Sequence, residues 1–78
     1  SIMEIVDKRD LPNMVKFEDL DIGDVYKDED SMICIKISKQ FKDGVPNTIY
    51  YRGEEWVTGY EYRSAEVVPL NAELVINN

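Results

Sequence analysis

Short segments of alternating apolar residues, separated by turn residues, constrain the fold of this 78-residue chain more than any other feature. The clearest one spans residues 32–39, in which Ile33, Ile35 and Ile37 alternate with polar or smaller side chains. A period of two is typical of β-strands, whose side chains point to opposite faces of a sheet. We predict that the isoleucine face is buried, so that Ile35→Asp would unfold the domain.

The remaining segments predict an all-β domain with little helix. No window of about 11 or more residues has a convincing helical stripe, and one helical turn is expected at residues 19–22 or 69–72. Turn residues bound the segments on both sides. Besides residues 32–39, the predicted strands are residues 2–6, 24–27, 48–52, 55–62, 65–68 and 70–76, and residues 14–17 are expected to be extended. Five to seven short strands at this spacing predict one small barrel, or two packed sheets, over residues 1–78.

One hairpin can be placed closely from the sequence. Gly53 and Glu54 separate two strand-like segments, and a Gly-X pair between strands favours a type II′ turn. A two-residue turn sets Arg52 opposite Glu55 and Tyr51 opposite Trp56, and it continues with Tyr50 opposite Val57 and Ile49 opposite Thr58. This register places a salt pair and an aromatic pair on alternate faces.

Composition excludes several kinds of site. The chain has one cysteine and no histidine, so it holds no internal disulfide, no typical structural zinc site and no histidine-dependent catalytic triad. Cys34 lies in a predicted strand, where a structural thiol is more common than a nucleophile. We expect no metal, no cofactor and no catalytic residue. A domain this small without a disulfide or a structural metal often gains stability by self-association, so we expect a homo-oligomer.

The acidic segment after Phe17 superficially resembles a calcium-binding loop. Counted from Asp19, however, Gly23 and Asp24 stand at loop positions five and six, where an EF-hand requires a ligand and a glycine. Position twelve is Asp30 rather than glutamate. The segment is better explained by side chains that accept hydrogen bonds from nearby backbone amides.

Charge narrows the class of partner. Sixteen acidic residues against nine basic ones give a net charge of −7, and most of the excess lies in residues 1–30. A negative surface repels phosphate backbones, so general nucleic-acid binding is disfavoured. The acids either keep a small domain soluble or form a face for a basic protein. No apolar run approaches the ~20 residues of a spanning helix. We expect a cytoplasmic protein.

Aromatic residues form the one constellation that suggests a ligand. Five rings lie within residues 50–62, with an arginine near each end. Rings can stack on nucleobases and guanidinium groups can hold phosphates, although cross-strand packing explains each single ring equally simply. Because a small core cannot bury all five rings, we expect one or two of them to be exposed. The candidate ligand-binding residues are Tyr51, Arg52, Trp56, Tyr60 and Arg63.

Three segments resemble a known group of proteins. The opening over residues 17–26, the Ile35-Lys36-Ile37 strand and the segment Val67-Val68-Pro69-Leu70 are similar to those of small phage and prophage proteins with an SH3-like barrel. The resemblance covers roughly residues 16–76. It implies an SH3-like antiparallel barrel and a non-catalytic accessory protein in a host cell. Such a protein would counter host defence by sequestering a nucleotide signal or by blocking a basic host protein. A protein–protein interaction module without a small-molecule ligand is the alternative.

Overall fold

The structure, a computed structural model, describes residues 13–70. The predicted strand at residues 2–6, and all but the first residue of the predicted strand at residues 70–76, therefore lie outside the described residues. The described part contains six strands and one 3-10 helix, which confirms the predicted all-β fold. The elements are β1 (Val15–Lys16), the 3-10 helix (Phe17–Asp19), β2 (Val25–Lys27), β3 (Ile33–Lys36), β4 (Thr48–Arg52), β5 (Glu55–Gly59) and β6 (Glu66–Pro69).

The six strands form one antiparallel sheet in the order β1-β6-β2-β3-β4-β5. Consecutive strands from β2 to β5 are neighbours, and β6 returns to pair with both β1 and β2. Within residues 13–70, β1 and β5 are the two edges and do not pair with each other. The sheet is therefore open in this part of the chain rather than closed into a barrel.

The β4–β5 hairpin confirms the predicted register and corrects the predicted turn. All four predicted pairs are present, from Arg52 opposite Glu55 to Ile49 opposite Thr58. The turn residues Gly53 and Glu54 have φ of 59° and 67°. Two positive φ values define a type I′ turn, whereas a type II′ turn has only the first one positive. Glutamate therefore occupies a backbone conformation that favours glycine or asparagine.

The prediction that the isoleucine face is buried is wrong. Ile33 and Ile37 are 37% and 38% exposed and Ile35 is half-buried, whereas Cys34 and Lys36 on the opposite face are each 1% exposed. The reason is tertiary, because the 3-10 helix and its flanking residues pack on the Cys34 side. Alternation shows that a strand has two faces, but it does not show which face the rest of the chain covers.

The core lies between the 3-10 helix and the inner face of the sheet. Phe17 packs edge-on against Tyr26 at a centroid distance of 5.5 Å and against Phe41 at 5.9 Å. The helix occupies residues 17–19, two residues before the predicted turn at 19–22, and Leu20 N–H closes it on the Phe17 carbonyl. The fully buried members of this core are Phe17, Leu20, Tyr26, Cys34 and Val67.

Candidate functional site

A lysine stands at the centre of the inner face. Lys36 is 1% exposed, and its ammonium donates to the carbonyl oxygens of Phe17 at 2.9 Å and Leu20 at 2.6 Å, with Glu18 at 3.4 Å. Its Nζ also lies 4.6 Å from the centroid of the Phe17 ring. The Phe17 carbonyl also accepts the Leu20 N–H that closes the 3-10 helix, whereas the Glu18 and Leu20 carbonyls lie at the helix end, where helical partners run out. Burial lowers the pKa of Lys36. Three acceptors require three donors, which only the charged ammonium provides.

A buried hydroxyl network lies beside this lysine. The Tyr26 hydroxyl makes a short hydrogen bond with the Thr48 hydroxyl and donates to Glu61 Oε2 at 3.1 Å. Burial raises the pKa of Tyr26 and also that of Glu61. Asn47, which is fully buried, holds the Glu61 backbone from both sides, since its amide donates to the Glu61 carbonyl and its oxygen accepts from Glu61 N–H. The network positions Glu61 at the edge of the core.

One group of side chains has the composition of a metal site. The ligand atoms of Asp28, Cys34 and Glu61 lie within 4.8 Å of one another. Asp28 Oδ1 already accepts from the amides of Asp30 and Met32, and the Cys34 thiol donates to the Met32 carbonyl. Burial, followed by the charge of Asp28, raises the pKa of the Cys34 thiol to about 12. Without a bound cation the thiol is therefore protonated at neutral pH, a form that is a poor nucleophile.

The opposite side of the sheet, here called the outer face, is largely apolar and is exposed at the end that holds Tyr51 and Trp56. The register places Val25, Ile35, Ile49 and Thr58 in one row across β2 to β5. Tyr51 and Trp56 form the next row and are 46% and 38% exposed, comparable with Ile33. The outer face consists of Val25, Lys27, Ile33, Ile35, Ile49, Tyr51, Trp56 and Thr58, of which Val25 is buried and Ile35 and Ile49 are half-buried. Contiguous exposed apolar side chains on one face mark an interaction surface.

The predicted ligand-binding aromatics occur as separate pairs. Tyr51 and Trp56 are in tilted contact at a centroid distance of 5.2 Å, on the outer face. Tyr60, which is 39% exposed, packs edge-on against Tyr62 at 5.6 Å. More than the expected one or two rings are exposed, namely Tyr51, Trp56, Tyr60 and Tyr62. Tyr50 instead packs against the core, half-buried.

The two predicted anion-binding arginines have different surroundings. The Arg63 guanidinium lies 4.7 Å from the centroid of the Phe41 ring, which itself packs on core residue Phe17. Arg52 lies at the end of β4, opposite Glu55. The ion pair found within residues 13–70 joins Lys39 and Asp21 on exposed side chains, so the predicted Arg52–Glu55 salt pair is not formed there. Arg52 therefore lies on the face opposite the Tyr51–Trp56 ring pair, and Arg63 is exposed with its guanidinium over Phe41.

Sequence reasoning missed the polar inner face. A lysine between Ile35 and Ile37 was assigned to the solvent side, as lysines usually are. One available signal was the run of acidic residues and the glycine after Phe17, which indicates a backbone turn whose carbonyls need donors. Asn47, directly after Pro46 and before β4, was another, since asparagine side chains bind nearby backbone groups.

Comparison of the chain with protein-family models, with curated proteins and with solved structures returned no match. Among residues 13–70, no helix has the length and apolar character needed to cross a membrane. What the chain does is therefore argued from its own geometry.

Proposed function

We propose that this chain is a non-catalytic binding protein whose outer face docks against an apolar surface of a protein partner. One observation carries the proposal: polar Lys36 and Thr48 are buried at 1% and 3% exposure, while Ile33, Tyr51 and Trp56 on the opposite face are exposed. A small domain with few apolar residues loses stability by leaving them in water. Their exposure is explained if a partner covers them.

The surroundings of the titratable groups favour binding over catalysis. Cys34 is a protonated, buried thiol, and the Lys36 ammonium is bound by backbone carbonyls. Glu61 accepts from the Tyr26 hydroxyl. Each of these groups is held by partners inside the domain, so none of them faces solvent as an activated nucleophile or base.

Charge around the outer face indicates the kind of partner. The turn between β2 and β3 contains Asp28, Glu29 and Asp30, and the turn between β4 and β5 contains Glu54. Since β2 to β5 run alternately up and down, both turns lie at the same end of the sheet. An apolar patch with basic residues at one end would complement this arrangement. On the resemblance to phage proteins, the partner would be a basic host defence protein.

The test compares matched isoleucines. Ile33 lies on the outer face, whereas Ile22, which is 57% exposed, lies in the loop before Gly23 and outside the sheet. We expect Ile33→Ser and Trp56→Ser to abolish capture of a basic protein from host lysate while the melting temperature hardly changes. Ile22→Ser should leave capture intact. Added salt should weaken the interaction, because part of it is electrostatic. Equal capture by the Ile33 and Ile22 variants would contradict the proposal.

A second candidate function, sequestration of a nucleotide signal, is favoured by the exposed Tyr51–Trp56 ring pair, with Arg52 as the next residue at the end of β4, on the alternate face. Base stacking contributes about 1–3 kcal/mol per base, and an arginine can hold two phosphate oxygens. Calorimetry against cyclic and linear nucleotides separates this function from the first. Heat that disappears in Trp56→Ala and Arg52→Ala, at an unchanged melting temperature, would support it. No heat with the unmutated protein would leave the protein-docking function alone.

A further inference from the structure

The two edges of the sheet differ in how they are protected. Edge strands expose unpaired backbone groups, and proteins usually blunt them with short length, lysine, proline or a bulge. Within residues 13–70, β1 has two residues and one of them is Lys16. β5 has five residues, Glu55 to Gly59, and contains neither lysine nor proline. Among the strands of residues 13–70, none covers the outer edge of β5, so this edge is open to another strand.

The hairpin register shows which backbone groups are available. In a two-residue hairpin, the residues that flank the turn, here Arg52 and Glu55, form a hydrogen-bonded pair, and such pairs alternate with non-hydrogen-bonded ones. Val57 is therefore bonded to β4, whereas Trp56 and Thr58 direct their N–H and C=O groups away from it. These two residues provide the donors and acceptors of the open edge.

We propose that two copies of this chain pair antiparallel through β5, on a two-fold axis at Val57. Trp56 of each copy then lies opposite Thr58 of the other, so the outward N–H and C=O groups of both residues are satisfied reciprocally. Glu55 lies opposite Gly59 of the second copy. This register uses all five residues of each strand.

Charge favours this register over its neighbours. Centring the axis on Thr58 would place Glu55 opposite Glu61 of the second copy, and like charges directly opposite are destabilising. Centring it on Trp56 would pair only three residues of each strand. In the proposed register no two charged residues are opposite within β5. The outer faces of the two copies become continuous. Because the dimer contact is made by backbone groups at the β5 edge, this doubled outer face stays free to dock a partner.

The test uses the unequal roles of N–H groups along β5. Thr58→Pro removes an outward N–H, and proline is tolerated in edge strands where the N–H faces solvent. The β4–β5 ladder keeps its bonds. Each dimer loses two hydrogen bonds by symmetry, so we expect the dimer dissociation constant to rise roughly tenfold or more. Thr58→Ala keeps the N–H and is the matched control, which should dimerise as the unmutated protein does.

Sedimentation equilibrium at micromolar to submillimolar protein concentrations measures the dimer dissociation constant. We expect a dimer that strengthens with added salt, because the net charge of −7 opposes association. A monomer at every concentration overturns the proposal, and so does a dimer that survives Thr58→Pro. If Thr58→Pro fails to fold, hydrogen exchange of the unmutated protein decides. Amides of Trp56 and Thr58 should gain protection as concentration rises, and protection independent of concentration overturns the pairing.

Discussion

The inner and outer faces of this sheet solve the problem of burial in opposite ways. The inner face buries Tyr26, Lys36 and Thr48, and each polar atom there has a partner within the domain. The outer face holds Ile33 and Trp56, each more than a third exposed. Satisfied polar groups can therefore form a core as securely as apolar ones. On the proposed function, the outer face is the one that contacts a partner.

The largest expected effect comes from removing the buried ammonium. Lys36→Met keeps the apolar stem but leaves the Phe17 and Leu20 carbonyls without their donor. We expect the free energy of unfolding to fall by at least about 3 kcal/mol. Lys39→Met, at an exposed lysine, should change it by less than about 0.5 kcal/mol. Urea unfolding of both variants measures the difference. Similar small effects for both would mean that the inner face is not the core.

High pH should weaken the inner face. Burial raises the pKa of Cys34 from 9.0 to about 12, so the folded state keeps a proton that the unfolded chain loses. This contribution is complete below pH 9.0 and is lost as pH rises toward 12. The thiol should reduce the free energy of unfolding by up to about 1.4 kcal/mol per pH unit in that window. Tyr26 acts in the same direction.

The control for this pH effect is Cys34→Ala. This variant retains Lys36 and Tyr26, so it removes only the thiol's contribution to the pH dependence of the free energy of unfolding. Its free energy of unfolding should fall less steeply above pH 9.0 than that of the unmutated protein. Urea unfolding at several alkaline pH values gives both slopes. Identical slopes would show that the thiol is solvated in the folded state, contrary to its placement on the inner face.

A smaller loss should follow from deleting one hydroxyl. Tyr26→Phe removes the group shared by Thr48 and Glu61 and leaves both with one partner fewer. We expect a loss of about 1 kcal/mol in the free energy of unfolding. Tyr62→Phe, at a ring that is 73% exposed, is the matched control and should be neutral. Equal melting temperatures for the two variants would show that the Tyr26 hydroxyl hydrogen bonds do not stabilise the fold.

The smallest expected effect is a gain, and it concerns the hairpin that presents the outer face. Glu54 has φ of 67°, which is unfavourable for a residue with a side chain. Glu54→Gly should stabilise the protein by about 0.5 kcal/mol, since the relief of strain exceeds the added flexibility of glycine. Glu55→Gly, in a strand, should destabilise it. Thermal unfolding measures both, and a loss in Glu54→Gly would contradict the type I′ turn.

Local and tertiary features of this chain differ in how far sequence reasoning reaches. The pairs from Arg52–Glu55 to Ile49–Thr58 could be predicted because a two-residue turn determines its own register. The class of fold could be predicted for the same reason, from strand patterns and turns. The type of the turn could not, since Gly-Glu is compatible with more than one backbone conformation.

The buried face of β3 was beyond local reasoning. It depends on where the 3-10 helix packs, and the helix packs where its carbonyls find the Lys36 ammonium. A single lysine in an alternating strand carries no sign of this role, because the same residue suits a solvated face. More aromatic rings are exposed than the one or two expected, and they form two separate pairs, one on the β4–β5 hairpin and one after β5 ends at Gly59.

The central claim, that β3 buries Cys34 and Lys36 and exposes its isoleucines, is tested most directly by nuclear magnetic resonance. A soluble paramagnetic agent broadens methyl signals that solvent can reach. Ile33 and Ile37 methyls should broaden strongly, while Val67, which is 1% exposed, should be unaffected. Isoleucine methyls as well protected as those of Val67 would contradict this claim and show that the isoleucine face of β3 is buried.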